Sequence, residues 1–286
     1  MDKKNLGQKL LYSPFTKIII AIVVFLCIYI IRDLIRDLLM DVDINGNIKH
    51  LIRGIFIASI TIISYSLLYK FFEKRIFTDF FIKGIGKNLL IGLTLGVVIQ
   101  SLIILVMYLK GGYTVISINP NPFEFIIPAL MLPLTSSILE ETLFRGFIFR
   151  IIEEKLGSYN AMLISGLLFG IVHYSDLNCS LIEALLIVIP GLLLAVAYMY
   201  SRNLWFPIAI HFAWNFTQDY IYGVYETGGS LIISKLEGSK WLTGGVGVEG
   251  TIQAFIFSLI TIIILLILCH KKGKIIKPYW KKTTNR

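Results

Sequence analysis

The chain has 286 residues, of which 56% are hydrophobic and only 16% charged, and its mean hydropathy is +0.77. Soluble domains carry about a quarter charged residues, so this composition, with apolar runs recurring and charges gathered between them, excludes a secreted disulfide scaffold, a disordered chain and a nucleic-acid-binding domain. The net charge of +9 comes without a basic stripe interleaved with aromatics, and reads as the topology signal of cytoplasmic loops and tails.

The first apolar run, about Phe15–Ile31, follows a basic start at Lys3, Lys4 and Lys9. It is long and is followed by Arg32 and Asp33 rather than by small residues, so it reads as a retained anchor and not a cleaved leader. Behind it, Arg32–Met40 puts Leu34, Ile35, Leu38 and Leu39 on one face, which suits a helix lying at the membrane surface. Seven further segments follow, at about Leu51–Phe72, Leu89–Leu109, Phe123–Phe149, Ala161–His173, Leu181–Tyr200, Leu204–Tyr222 and Thr251–Cys269. The fifth is short against a span of ~20 residues and is expected to extend toward Cys179 or to sit inside the bundle. The Gly-rich stretch before the last segment has no Gly-Lys-Ser/Thr and no preceding strand, so it reads as a flexible, turn-rich loop.

Alternate loops differ in basic content. Lys70, Lys74, Arg75, Lys83 and Lys87, then Arg145, Arg150 and Lys155, then Arg202, then the Lys-rich tail fall on one side. Only the first loop departs, and its Arg32, Arg36 and Lys49 are matched by Asp33, Asp37, Asp41 and Asp43. The expectation is an all-α, polytopic membrane protein: a bundle of about eight transmembrane helices, both termini cytoplasmic, in the cell membrane. It forms one integral membrane domain over residues 1–286, with a catalytic core at 123–222. Cys27, Cys179 and Cys269 are odd in number and far apart, and suggest neither a disulfide frame nor a cysteine metal site.

Ionisable groups are costly in a bilayer, about 2.5–3.5 kcal/mol at mid-span on the insertion scale, so the few present should face the interior. Three clusters stand out. Glu141 and Arg145 are four apart and share a helix face, whereas Glu140 points about 100° away. One carboxylate can therefore be tied to the arginine while its neighbour takes up a proton; a structural ion pair is the plainer reading. His173 follows Phe169 by one turn, and a packed interfacial histidine is its plainer reading. His211 and Asn215 share a face in the seventh segment, where interhelical polar glue is the alternative. Taken together, an acid, two imidazoles and an amide in one dry cavity make a hydrolytic site.

The ordered set EExxxR (Glu140, Glu141, Arg145), FxxxH (Phe169, His173) and HxxxN (His211, Asn215) resembles the three motifs of the CPBP (Abi) family of intramembrane proteases. That family includes type II CaaX prenyl endopeptidases and bacteriocin-processing and self-immunity proteins. The resemblance covers about Pro128–Asn215, and Leu242–Gly250 is similar to the closing segment of many members. It implies an intramembrane endopeptidase acting near the cytoplasmic face on a membrane-associated peptide or protein, with lipidated and bacteriocin-like substrates as candidates. Glu140 would be the base, His173 would orient the water, and His211 and Asn215 would bind the oxyanion. Arg145 with Glu141 would hold the geometry. A metalloprotease mechanism is the competing implication, with His173 and His211 as zinc ligands beside Glu140. For the helices to bring these groups together, the fourth must continue to about Ile152. Two other functions stay open: an ion-coupled transporter, for which Gln100, Ser101 and the Pro190-Gly191 break would serve, and a non-catalytic immunity protein.

Overall fold

The computed structural model describes residues 10–73, 79–82, 84–177, 180–225, 229–245 and 247–279. Expectations placed on Lys3, Lys4, Lys9, Lys74, Arg75, Lys83, Cys179 and the end of the tail from Lys281 lie outside the described residues. Helices dominate. α1 (Pro14–Met40) opens on a Ser13 cap whose hydroxyl accepts from the Thr16 amide, with Pro14 at the position where a missing N–H costs nothing. α2 (Gly46–Glu73) and α3 (Ile85–Leu109) follow. The fourth segment is a run of α4 (Ile126–Glu141), a π-helical stretch (Thr142–Phe149) and α5 (Arg150–Leu156). α6 (Ser158–Leu177), α7 (Leu181–Ser201) and α8 (Trp205–Phe216, prolonged by a π-helical Thr217–Ile221) complete the centre, and α10 (Ile252–Lys271) closes the bundle after the short α9 (Lys240–Thr243).

Every apolar segment of the sequence is thus a helix. Among the described residues six are long and apolar enough to cross a membrane: Pro14–Met40, Gly46–Phe72, Ile85–Leu109, Pro122–Leu156, Leu181–Ser201 and Ile252–Lys271. The two outside that set, α6 and α8, carry His173, His211 and Asn215, and α8, with 12 residues, is too short to cross alone. Around the bundle Ile30, Leu67, Leu90 and Ile264 point outward, exposed, as side chains facing hydrocarbon must. The protein is a multi-pass integral membrane protein of all-α fold.

Two expectations change. Arg32–Met40 is not a separate surface helix but the unbroken end of α1, whose 27 residues span about 40 Å at 1.5 Å per residue. The Gly-rich stretch is folded. Its strand β2 (Ile232–Leu236) pairs antiparallel with β1 (Tyr113–Ile118), and its end turns at Val248–Gly250 against the bundle. The fourth helix runs past Ile152 to Leu156, as the motif spacing requires.

The two ends of the bundle differ. At one, Tyr12 stacks on Phe71, Arg150 lies over Tyr69, and Asp79 accepts from the hydroxyls of Tyr65 and Tyr198 at 2.5 and 2.7 Å. Arg202 grips Glu153 and donates to the Lys274 carbonyl, while Ser158 holds the backbone of Ile276 from both sides. At the other end lie the turn between α1 and α2, the β-ribbon and the loops before α7 and α10.

Candidate active site

Three close approaches set the helices around the site. Gly92 and Gly96 on α3 lie against the α8 backbone; a Cβ on Gly96 would come to 2.5 Å from the Ile210 carbonyl oxygen, so only glycine lets α8 pack this deeply. Pro190 sits inside α7, and the next carbonyl, that of Gly191, accepts from Arg145 Nη2 at 2.8 Å. The π-helical stretch begins directly after Glu141, and the second one two residues after Asn215. Wide turns of this kind cluster at functional sites because they re-aim the side chains beside them.

The motif residues converge. Glu141 and Arg145, both wholly buried, form an ion pair at 2.8 Å, and Glu141 Oε1 also meets His211 Nδ1 at 3.0 Å. Arg145 is further wedged by Phe169, whose ring centroid is 4.8 Å from its guanidinium carbon. Glu140 turns the other way, into the cavity. Its Oε2 is buried without a hydrogen-bond partner among the described residues, 3.9 Å from His173 Nε2 and 4.0 Å from His211 Nε2. His173 stacks on Phe169 and its Nδ1 lies 2.9 Å from the Phe169 carbonyl. A carbonyl only accepts, so Nδ1 carries the proton and Nε2 presents a lone pair toward Glu140. In His211, Nδ1 donates to Glu141, and Nε2 again faces Glu140.

These groups line a cavity of about 170 Å³ with Asn215, Trp214, Leu193 and Leu194. Its far wall is one that the motifs do not announce: Asp219, Tyr225 and Glu249. Glu249 accepts from Trp214 Nε1 at 3.1 Å, so the Gly-rich segment is tied into the site. Burial, with the carboxylates of Glu249 and Asp219 nearby, pushes the Tyr225 phenol up and keeps it a hydroxyl donor. The similarity of Leu242–Gly250 to a family's closing segment was the only sequence signal for Glu249; Asp219 and Tyr225 had none.

Two histidines and a carboxylate are a possible zinc set, and their separations test it. Ligands at about 2.0–2.1 Å from one tetrahedral ion stand about 3.3 Å apart, against the 3.9 and 4.0 Å found here. Among the described residues no group of three such side chains closes on one point. By the same geometry two partners of one water at about 2.8 Å stand about 4.6 Å apart, so the separations of 3.9 and 4.0 Å fall between the two spacings.

The features that would serve a transporter are internal ties. Gln100 Nε2 donates to Gln218 Oε1, Ser101 accepts from the Tyr222 hydroxyl, and the Pro190-Gly191 break holds Arg145.

The arrangement belongs to the class of polytopic membrane proteins with a buried polar site. Residues 122–217, which contain all three motifs, are matched by the family model described as Type II CAAX prenyl endopeptidase Rce1-like. A Bacillus subtilis (strain 168) protein named as a candidate membrane peptidase, YdiL, is 36% identical over 98 residues, which cover 34% of this chain and 36% of that protein. The chain therefore matches little more than a third of this relative's length, and over that segment its resemblance to the CPBP family holds. No solved structure matches the chain.

Proposed function

We infer that the protein is an intramembrane endopeptidase of CaaX-protease type, working through Glu140 as general base without a metal step. The observation that carries this is the Glu140 carboxylate oxygen, buried, unbonded among the described residues and facing two imidazole nitrogens at 3.9 and 4.0 Å on the wall of a cavity. A water seated there donates one proton to Glu140 while its oxygen attacks the peptide carbonyl carbon. The carbonyl π electrons move onto oxygen, and the Asn215 amide, on the cavity wall, donates to that oxyanion. When the intermediate collapses, the C–N bond breaks and Glu140 returns its proton to the leaving nitrogen. His173 accepts from the water through Nε2 and fixes its orientation. His211 is steered by Glu141, whose charge Arg145 balances. It donates to the oxyanion only as imidazolium, since its one proton in the neutral form lies on Nδ1.

Glu140→Gln removes the base and should lower kcat by about 10²–10⁴-fold with the purified variant still folded, and cleavage by the parent protein should survive chelator. Undiminished cleavage by the variant would remove Glu140 from this role, and activity lost to chelator and restored by zinc would replace the mechanism with the metal one. The substrate is a peptide or protein in or at the membrane. An immunity role through sequestration alone would instead leave protection intact in Glu140→Ala.

A further inference from the structure

A second cavity, of about 310 Å³, shares Glu140, Asn215 and Asp219 with the catalytic one and extends between α1, α2 and α4. Its remote end is cationic: Arg32 on α1, with His50 and Arg53 on α2. Arg36 and Lys49 line an adjoining hollow with the same His50 and Arg53. The acids of that end are already engaged, since Asp33 pairs with Arg32 at 3.1 Å and Asp37 with Arg36 at 3.0 Å. Arg53 is different. It is half-buried and has neither a hydrogen bond nor an ion pair among the described residues. Asp33 and Asp37 act on it through space, against the repulsion of Arg32 and Arg36 and the cost of burial, and a directly bonded anion would stabilise it further. The acids Glu140 and Asp219 stand where the two cavities join, and the first cavity adds Glu249. A chain lying across Glu140 thus meets the cations only toward the remote end of the second cavity.

We propose that Arg53, supported by Arg32 and His50, is the specificity-determining anion subsite of this peptidase and binds a carboxylate of the substrate peptide. The carboxylate is either the free chain terminus or an acidic side chain close to the cut. The proposal rests on the peptidase reading above and adds the substrate's charge and its direction across the site. A guanidinium fork holds a carboxylate bidentately, which a lysine cannot reproduce.

The test uses the full chain in detergent micelles and three fluorogenic peptides of one apolar sequence. One ends in a free carboxylate, one in a carboxamide, and one in Asp followed by a carboxamide. The KM of the first should lie at least tenfold below that of the second. If the third matches the first, the side chain can supply the anion; if it matches the second, the terminus does. Arg53→Gln should raise the KM of the carboxylate peptide to that of the amide, and Arg53→Lys should lose part of the preference. Equal KM values in the parent protein, or a preference that survives both variants, would overturn the proposal. Anisotropy binding of the same peptides to Glu140→Gln reads the site without catalysis. A carboxylate preference there that vanishes with Arg53, alongside a parent protein that cuts nothing, would keep the subsite and sink the peptidase reading. Cleavage without preference would do the reverse. If Arg53→Gln changes only the binding of added phosphatidylglycerol, the cations serve a lipid headgroup and the proposal fails.

Discussion

At the scale of single residues, adjacent Glu140 and Glu141 do different work because a helix separates neighbours by about 100°. Glu141 is locked between Arg145 and His211, and Glu140 is left to the cavity. Breaking a buried ion pair from one side leaves a stranded charge and costs about 3–5 kcal/mol. Arg145→Gln should therefore lower Tm strongly, whereas Glu141→Gln with Arg145→Gln together should recover much of it. Cleavage should be lost in both, in the first because Glu141 loses the arginine that fixes it and in the second because His211 loses its steering carboxylate; thermal unfolding in detergent and peptide turnover separate the two effects. Asn215→Ala should cost about 10²–10³-fold in kcat with little change in Tm, since Asn215 lines the cavity and is only partly buried. The division of labour between the two glutamates was legible in the sequence from the four-residue spacing of Glu141 and Arg145. Glu249 was not, because a lone acid among glycines has no periodicity, and its partner Trp214 is 35 positions away.

At the scale of elements, all eight helices could be read from hydrophobic runs, and the continuation of the fourth to Leu156 followed from the need for Glu140 to meet His173. The π-helical turns could not. They add one residue to a turn at no gain in local hydrogen bonding, and only tertiary contacts repay them, such as the Ser165 hydroxyl on the Phe144 carbonyl at 3.2 Å. Removing one residue from Thr142–Phe149, for example Ile148, should restore a plain α-helix and rotate one side by about 100°. Glu153, held by Arg202, anchors the downstream side, so the glutamates are the ones to swing away. Such a deletion should keep helicity by circular dichroism and lose cleavage; retained turnover would mean that the wide turn does not place Glu140. Gly96→Leu acts from across the bundle, and pushing α8 off α3 should lower both Tm and activity.

At the scale of the whole molecule, the site lies inside the bundle, away from the described ends of the chain. His173 lies 15 residues along α6 from Ser158, about 22 Å at 1.5 Å per residue, and the cavity wall includes Tyr225 and Glu249 from the loops at the far end. The basic-residue pattern predicts cytoplasmic termini, and the family resemblance predicts cleavage near the cytoplasmic face; along the helices His211 lies six residues, about 9 Å, from Trp205, and Glu140 sixteen residues, about 24 Å, from Leu156. Loop counting from charge addresses the ends of helices, whereas the depth of a site depends on which turn of each helix faces the interior, and that is a packing outcome. With cytoplasmic termini, a cysteine placed at the exposed Ser239 should react with a membrane-impermeant maleimide in intact cells, and one placed at Lys274 should not.

The strap made by Arg202, Ser158 and the 274–276 backbone therefore sets more than stability. It ties the start of α6, the link between α7 and α8 and the segment after α10 into one knot, so that the helices carrying His173 and His211 keep their register with the closing helix. Loosening that knot would let the two imidazole-bearing helices slide past each other before any residue of the site itself had changed.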